Sequence, residues 1–142
     1  MVKKKKAAKK AKPVKKKAKK SALKRAAKSR PLQRYTMTLD LKDDPQLIAE
    51  YKRYHEKIWP EITKSIRDAG IEDMEIYLLG TRMFLTMEVN DRFSFDAKGE
   101  ADRTNPKVQE WEELMWSFQK PLPQAKPGEK WLMMERIFKL ER

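Results

Sequence analysis

Two short segments with alternating apolar residues stand only two residues apart near the middle of the chain, and this spacing restricts the fold most. Met74–Leu79 and Arg82–Val89 each place apolar side chains at every second position, as strands with one buried face do. Gly80 and Thr81 lie between them and leave room only for a tight turn. The sequence therefore predicts an antiparallel hairpin.

The residues before the hairpin predict one more strand and an interrupted helix. Leu32–Leu41 alternates in the same way as the hairpin strands. Asp44 is a good helix cap, and Pro45 at the first helical position already has the required φ. Apolar residues then recur at helical spacing, with an interruption at Pro60 and an end at Gly70.

The residues after the hairpin predict two helices and a last strand. Ser94–Asp102 has a weaker helical pattern, and Asn105 with Pro106 starts a firmer helix. A connector with three prolines forbids regular structure, and Trp131–Phe138 follows as the last strand.

The order β-α-β-β-α-β is typical of a ferredoxin-like α+β fold, a four-stranded antiparallel sheet with helices on one face. Polar and aromatic side chains are expected on the other face, and this mixture suits a concave wet pocket; they are Arg34, Thr36, Thr38, Glu75, Tyr77, Phe84, Thr86 and Glu88. Because such sheets often pair through their open faces or edges, we expect a homodimer of the dimeric α/β-barrel type.

Positive charge is concentrated at the start of the chain. Met1–Arg30 contains 16 of the 34 Lys and Arg residues and no acidic residue, whereas Pro31–Arg142 carries 18 basic and 21 acidic residues, a net charge of −3. This Lys/Ala-rich composition predicts a disordered tail, residues 1–30, before one domain, residues 31–142. The tail is either a solvating extension or an arm that binds nucleic acid non-specifically through phosphates. In a eukaryote it would also pass as a nuclear-localisation signal.

The composition excludes several kinds of site. There is no Cys and only one His, which rules out disulfides, thiolate ligands and a zinc site with several imidazoles, so we expect no metal. No apolar run approaches the roughly 20 residues needed to cross a bilayer, and the basic start lacks the apolar stretch of a secretory signal. We therefore expect a cytoplasmic protein without a membrane role.

His55 is the one side chain whose ordinary pKa lies near neutrality. It follows Tyr51 by four residues, so the two lie on one inward-facing helical stripe. This pair suits proton transfer, but a lone histidine on an apolar face is also often a core residue bonded to a carbonyl. Trp111 is either core or a platform for a sugar ring. The candidates for binding hydroxyl groups are the phenol of Tyr77 and the carboxylates of Glu75, Glu88 and Glu112.

Four segments of the domain carry a distinctive pattern: YKRYHEKIWPEI (Tyr51–Ile62), AGIEDMEIYLLGTRMFLTMEV (Ala69–Val89), NPKVQEWEELMW (Asn105–Trp116) and the C-terminal WLMMERIF. The Y-x-x-x-H-x-x-I-W-P-E block is the most specific part. In their order and spacing these segments resemble the L-rhamnose mutarotase family, including its L-fucose mutarotase-like relatives, over essentially all of Pro31–Arg142.

The resemblance implies a dimeric ferredoxin-like enzyme that interconverts the α and β anomers of a 6-deoxy sugar without a cofactor. It implies His55 as the proton donor, Tyr51 as a sugar contact and Trp111 as the first residue of a Trp pair that binds the ring. Met74 and Glu112 stand where the rhamnose enzymes have a second sugar-contacting tyrosine and the second Trp. L-Rhamnose and L-fucose are therefore nearly equal candidates for the substrate, with L-rhamnose ahead because the family is named for it.

From the chemistry of anomer exchange we expect His55 to protonate the ring oxygen, with Tyr51 or Tyr77 orienting it or relaying a proton. Trp111 would supply an apolar platform, and Glu112 would bind a hydroxyl. The competing class is a non-catalytic domain that binds a ligand or partner through the open sheet face, tethered to nucleic acid by the tail.

Overall fold

In the computed structural model, which describes residues 32–141, helices and antiparallel strands follow one another in the predicted order. The ferredoxin-like fold expected from the sequence is confirmed, whereas the predicted disorder of Met1–Arg30 lies outside the described residues. The elements are β1 (Gln33–Leu41), α1 (Pro45–Glu56), α2 (Pro60–Asp68), β2 (Ile71–Leu79), β3 (Arg82–Val89), α3 (Phe95–Thr104), α4 (Pro106–Trp116), β4 (Gln119–Lys120) and β5 (Leu132–Met133).

The sheet has the order β2-β3-β1-β4, with β5 also paired to β1. The hairpin of β2 and β3 closes where Leu79 faces Arg82, as the two-residue spacing predicts. β4 pairs with the end of β1 at Leu41, and β5 pairs further back at Met37, so both short strands use the same edge of β1. The outer strand position of the fold is therefore built from two separate pieces of chain.

The last strand is much shorter than the predicted Trp131–Phe138. Only Leu132–Met133 pairs with β1, and one further backbone hydrogen bond, from Met134 N to the Thr36 carbonyl at 2.8 Å, continues the pairing. Residues 135–141 have no strand partner within the described part of the chain. An alternating pattern predicts an extended chain, but it does not supply the neighbouring strand that makes a β-strand.

The helices begin where capping residues and prolines direct them to begin. The Asp44 side chain accepts hydrogen bonds from two backbone N–H groups of the first turn of α1, at 2.9 and 3.3 Å, and Pro45 occupies the first position. Asn105 caps α4 in the same way. Because Pro60 starts a new helix, α1 ends just after His55, and this histidine lies in its last turn.

The hydrophobic core fills the space between the helices and the sheet. A second buried cluster, Ile71, Leu85, Met87 and Val89, continues the apolar layer along β2 and β3. The main cluster includes Tyr51 and Trp111, two of the predicted site residues; its buried members are Leu39, Leu41, Tyr51, Ile62, Met83, Val108, Trp111, Met115 and Phe118.

The other face of the sheet carries the polar and aromatic side chains that the alternation assigns to it. Arg34 lies opposite Glu88 and forms an ion pair with it at 2.6 Å, and Tyr77 lies opposite Phe84. The cavity that contains His55, however, lies on the helix-covered face and not on this one. A polar face is the usual solvent-facing side of an antiparallel sheet, whereas small-molecule cavities are lined mainly by apolar groups.

Candidate active site

A cavity of about 320 Å³ lies between the helix-covered face of the sheet and helices α1, α2 and α4. Methionine and leucine side chains of the sheet form one wall, including Met37, Leu85 and Met87. Small-molecule sites commonly have volumes of about 300–1,000 Å³, so this cavity is of a size for one small ligand. Five of the six predicted site residues line it: His55, Tyr51, Trp111, Met74 and Glu112.

His55 is held by its own helix. Its Nδ1 lies 2.8 Å from the backbone carbonyl oxygen of Tyr51. Because a carbonyl can only accept, Nδ1 carries the proton in the neutral ring, and Nε2 keeps a free lone pair. Nε2 has no hydrogen-bond partner among residues 32–141. The sequence is compatible with two interpretations of His55, a core histidine bonded to a carbonyl or a catalytic histidine. In the structure His55 has the hydrogen bond to a carbonyl expected of a core histidine, and it also lines the cavity, as a catalytic histidine would.

The pKa of His55 lies below its ordinary value. Partial burial lowers it because the charged ring loses solvation, and the hydrogen bond to the Tyr51 carbonyl opposes this by favouring the charged form. Desolvation is the larger effect. The imidazole is therefore mainly neutral at pH 7, with Nε2 ready to accept a proton.

Aromatic rings hold the imidazole from two sides. The Tyr51 ring centroid lies 4.4 Å from that of His55, and Trp111 presents its ring edge-on at 5.6 Å. Trp111 packs in turn against Trp59 at 5.1 Å and is only 8% exposed. This packing limits rotation of the imidazole and makes Trp111 part of both the core and the cavity wall.

Tyr51 links the histidine to a residue that sequence analysis missed. Its hydroxyl accepts a hydrogen bond from Gln119 Nε2 at 3.3 Å. Burial raises the pKa of Tyr51, and the bond from Gln119 opposes this only in part, so the phenol remains protonated at neutral pH. Gln119 lies in the two-residue strand β4, which is too short to produce an alternating pattern, so no sequence signal pointed to it.

Met74 and Glu112 lie on opposite walls of the cavity. Met74 comes from β2, where a bulge between Ile71 and Asp73 sets the register that turns it toward the helices. Glu112 follows Trp111 on α4, and its backbone carbonyl accepts a hydrogen bond from Lys130 Nζ at 3.2 Å. The two positions that depart from the rhamnose pattern therefore both line the cavity.

Tyr77 is not brought to this cavity. It is 54% exposed on the opposite face of the sheet, where its hydroxyl donates a hydrogen bond to Glu75 Oε2 at 3.0 Å. The alternation of β2 puts Tyr77 and Ile76 on opposite faces, and Ile76 is the one that lines the cavity. Tyr51 is therefore the tyrosine available to a ligand beside His55.

A second cavity of about 420 Å³ adjoins the first and is more polar. It shares His55, Ile58 and Met74 with the first cavity, and Arg67 and Asp73 are among its charged residues. His55 thus lies where the two cavities meet. A polar ligand can approach the imidazole from the more polar side.

Two of the charged side chains that line the first cavity, Lys98 and Asp102, form an ion pair. Lys98 Nζ lies 2.6 Å from Asp102 and 3.3 Å from the Ser65 hydroxyl. Nowhere in residues 32–141 do three His, Asp or Glu side chains converge in the manner of a metal site. None of the helices described for these residues combines the length and apolar character of a membrane span.

Fold and cavity together describe a ferredoxin-like α+β protein with a candidate small-molecule site beside His55. Comparison with known proteins gives this class a family: residues 34–140 match the model of L-rhamnose mutarotase. The chain belongs to the L-rhamnose mutarotase family, and it is a sugar mutarotase, an isomerase that acts on carbohydrates.

Individual relatives agree with this assignment. The chain is 45% identical over 111 residues to an L-fucose mutarotase of Xanthomonas campestris, which covers 77% of this chain and 89% of that protein. It is 28% identical over 85 residues to an L-rhamnose mutarotase of Enterococcus faecalis, and the match covers 58% of this chain and 75% of that protein. The crystal structure of an L-rhamnose mutarotase from Formosa agariphila shares the fold, with a TM-score of 0.57 at 22% identity over 77% of this chain and 99% of that one.

Proposed function

We propose that this protein interconverts the anomers of a 6-deoxy-L-hexose, with L-fucose as the preferred sugar and L-rhamnose as the second candidate. The relative named as an L-fucose mutarotase is 45% identical and is matched over 89% of its length. Met74 and Glu112, where the sequence departs from the rhamnose pattern, both line the cavity. These observations support placing L-fucose ahead of L-rhamnose, although the family name alone favoured L-rhamnose.

The walls of the cavity suit a sugar that carries a methyl group. In a 6-deoxyhexose a methyl replaces the hydroxymethyl group, so one end of the ring is apolar. Met37, Leu85 and Met87 offer an apolar surface for that methyl and for the C–H face of the ring. A few polar groups, including those of His55 and Glu112, remain to bind hydroxyls.

The hydrogen bond from His55 Nδ1 to the Tyr51 carbonyl is the observation that carries the proposed mechanism. With Nδ1 committed, Nε2 of the neutral ring accepts the proton of the anomeric hydroxyl. As the C1–O bond of the ring breaks, the resulting imidazolium gives this proton to the ring oxygen, and the open-chain aldehyde forms. Rotation about C1–C2 and the reverse steps close the ring to the other anomer, and His55 returns to its neutral state.

This mechanism extends the sequence-based expectation that His55 protonates the ring oxygen. A histidine that is neutral at rest has no proton on Nε2 to give, so it first takes one from the anomeric hydroxyl, which is bonded to the same carbon as the ring oxygen. Because no electrons are exchanged, the reaction requires no cofactor. A single positioned acid/base contributes roughly 10²–10⁴-fold to the rate, which is sufficient for a reaction that already proceeds in water.

The test is anomer-exchange NMR on L-fucose and L-rhamnose with the parent protein and His55→Asn. We expect the parent protein to accelerate exchange, with L-fucose ahead, and His55→Asn to lose roughly 10²–10⁴-fold. No acceleration of either sugar by the parent protein would refute the function. Full activity in a folded His55→Asn protein would refute the role of His55, and circular dichroism checks the fold because the chain offers no second histidine as a control.

We also propose that the protein acts as a homodimer. The open sheet face and the unpaired C-terminal residues expose apolar side chains, among them Leu79 at 85%, Ile137 at 91% and Phe138 at 75%. A second copy would cover these groups and offer the neighbouring strand that residues 135–141 lack. Light scattering coupled to size exclusion should give the mass of a dimer, and Ile137→Asp should shift it toward the monomer; a monomeric parent protein at working concentration would contradict this proposal.

Cellular location and the role of the tail remain predictions. We place the enzyme in the cytoplasm, where free monosaccharides are metabolised, and the 16 cations of Met1–Arg30 support non-specific binding to nucleic acid.

A further inference from the structure

Gln119 is a buried polar residue whose hydrogen bonds are incomplete. It is only 5% exposed, and its Oε1 atom has no hydrogen-bond partner in the described structure. Its Nε2 donates a long 3.3 Å hydrogen bond to the Tyr51 hydroxyl, and among residues 32–141 no acceptor takes the hydrogen of that hydroxyl. Buried polar groups are rarely left in this state, and each exception needs an explanation.

The amide belongs to the wall of the cavity that contains His55. Its backbone is fixed because Gln119 pairs with Leu41 in the sheet, and the preceding carbonyl, of Phe118, accepts a bond from Lys42 N at 2.9 Å. Only the side chain retains freedom, and rotation about the last torsion of a glutamine meets little resistance. A small turn of the amide therefore presents one of its polar atoms to a ligand.

We propose that Gln119 and the Tyr51 hydroxyl together form a binding site for a hydroxyl group of the sugar, and that this pair determines which sugars are accepted. The inference rests on the proposed function. In the orientation described, Gln119 Oε1 accepts a hydrogen bond and Tyr51 donates one. Turning the amide over exchanges these roles, but the pair still offers one donor and one acceptor, which is what a hydroxyl requires.

The position of Tyr51 relates this hydroxyl site to the reacting carbon. Tyr51 holds His55 through its backbone carbonyl at 2.8 Å and holds Gln119 through its side-chain hydroxyl. A sugar whose anomeric carbon meets His55 therefore places another of its hydroxyls against Gln119. Around that point the wall is apolar, since Trp111 and Met115 also line it. A sugar without the matching hydroxyl leaves the polar pair buried and unpaired, which disfavours its binding.

The test compares the parent protein, Gln119→Leu and Gln124→Leu on L-fucose, L-rhamnose and the 2-, 3- and 4-deoxy forms of the better substrate. Gln124 is an exposed glutamine of the following segment and serves as the matched control. We expect Gln119→Leu to lower kcat/KM roughly 10- to 100-fold on the full sugar. Gln124→Leu should keep the kcat/KM of the parent protein. The parent should use one deoxy sugar poorly, and Gln119→Leu should abolish that difference.

The unfolding midpoint distinguishes a binding role of Gln119 from a merely structural role. Leu has a similar shape and removes an unsatisfied polar group, so the unfolding midpoint of Gln119→Leu should stay unchanged or rise. An unchanged kcat/KM, or an equal loss on every sugar with a lower unfolding midpoint, would overturn the proposal. If the parent accelerates neither sugar, the mutarotase function fails separately, and ligand-observed NMR of L-fucose and L-rhamnose binding with the same variants decides the role of Gln119: equal binding or no binding overturns it.

Discussion

The protonation of His55 gives the most direct prediction for the proposed mechanism. An ordinary histidine has a pKa of about 6.5, so about three quarters of such rings are neutral at pH 7. Burial lowers the pKa of His55, so an even larger fraction is neutral. Because the proposed first step needs the free lone pair of Nε2, kcat/KM should be constant above pH 7 and should fall about tenfold for each pH unit below the pKa of His55.

Two measurements check this. Exchange rates of L-fucose anomers are measured by NMR from pH 5 to 8, with the His55→Asn protein as the baseline for uncatalysed and buffer-catalysed exchange. The chain contains one histidine, so its imidazole proton resonances titrate without overlap in a protein prepared without a histidine tag. Both curves should have the same midpoint, below 6.5.

Each measurement can fail separately. An imidazole midpoint at or above 6.5 would refute the argument that burial dominates the environment of His55. A midpoint below 6.5 with a kcat/KM that does not follow it would refute the assignment of Nε2 as the base. The same shift affects folding: the unfolded chain binds the proton more readily, so stability should fall as the pH drops from about 6.5 through the lower native pKa.

Three further predictions test the fold, the sugar preference and the tail. Gly70→Ala should lower the free energy of unfolding by about 1–2 kcal/mol or more, since φ is +96° and a Cβ would lie 2.5 Å from Asn90 Oδ1. Urea denaturation measures this change. Gly80→Ala is the control: φ is +62° but the space around it is open, so its free energy of unfolding should fall less. Met74→Tyr with Glu112→Trp should shift the kcat/KM ratio toward L-rhamnose; an unchanged ratio would show that these positions do not select the sugar. Deleting residues 1–30 should leave turnover intact and remove salt-sensitive retention on immobilised DNA, whereas lost turnover would make the tail part of the enzyme.

Much of the fold follows from local patterns, because periodicity and capping act over a few residues. The hairpin around Gly80, the helix starts at Pro45 and Pro106 and the break at Pro60 all lie where the sequence predicts them. The last strand was predicted too long, since strand formation depends on a neighbour that the local pattern does not contain. β4 was not predicted because two residues carry no period.

The site was predicted only in part, for a similar reason. His55 and Tyr51 share a helical stripe, so their spacing alone brings them together. The resemblance to the family added Met74 and Glu112, which lie far apart in the sequence. Tyr77 was assigned to a pocket on the open face because that face is polar, yet the cavity lies on the helix-covered side. Gln119 is marked by a buried Oε1 atom without a partner in the described structure, a three-dimensional property that no local sequence pattern contains.

The divided edge of β1 has a consequence for how such enzymes diversify. β4 brings Gln119 to the cavity, and the residues just before β5 bring Lys130 and Trp131, while the segment between them lies outside the sheet pairing. Insertions or deletions in that segment can change the outline of the cavity while both pieces keep their register on β1. The same architecture can thus acquire a new sugar preference by altering the length of one connection, without redesign of the helix that carries His55.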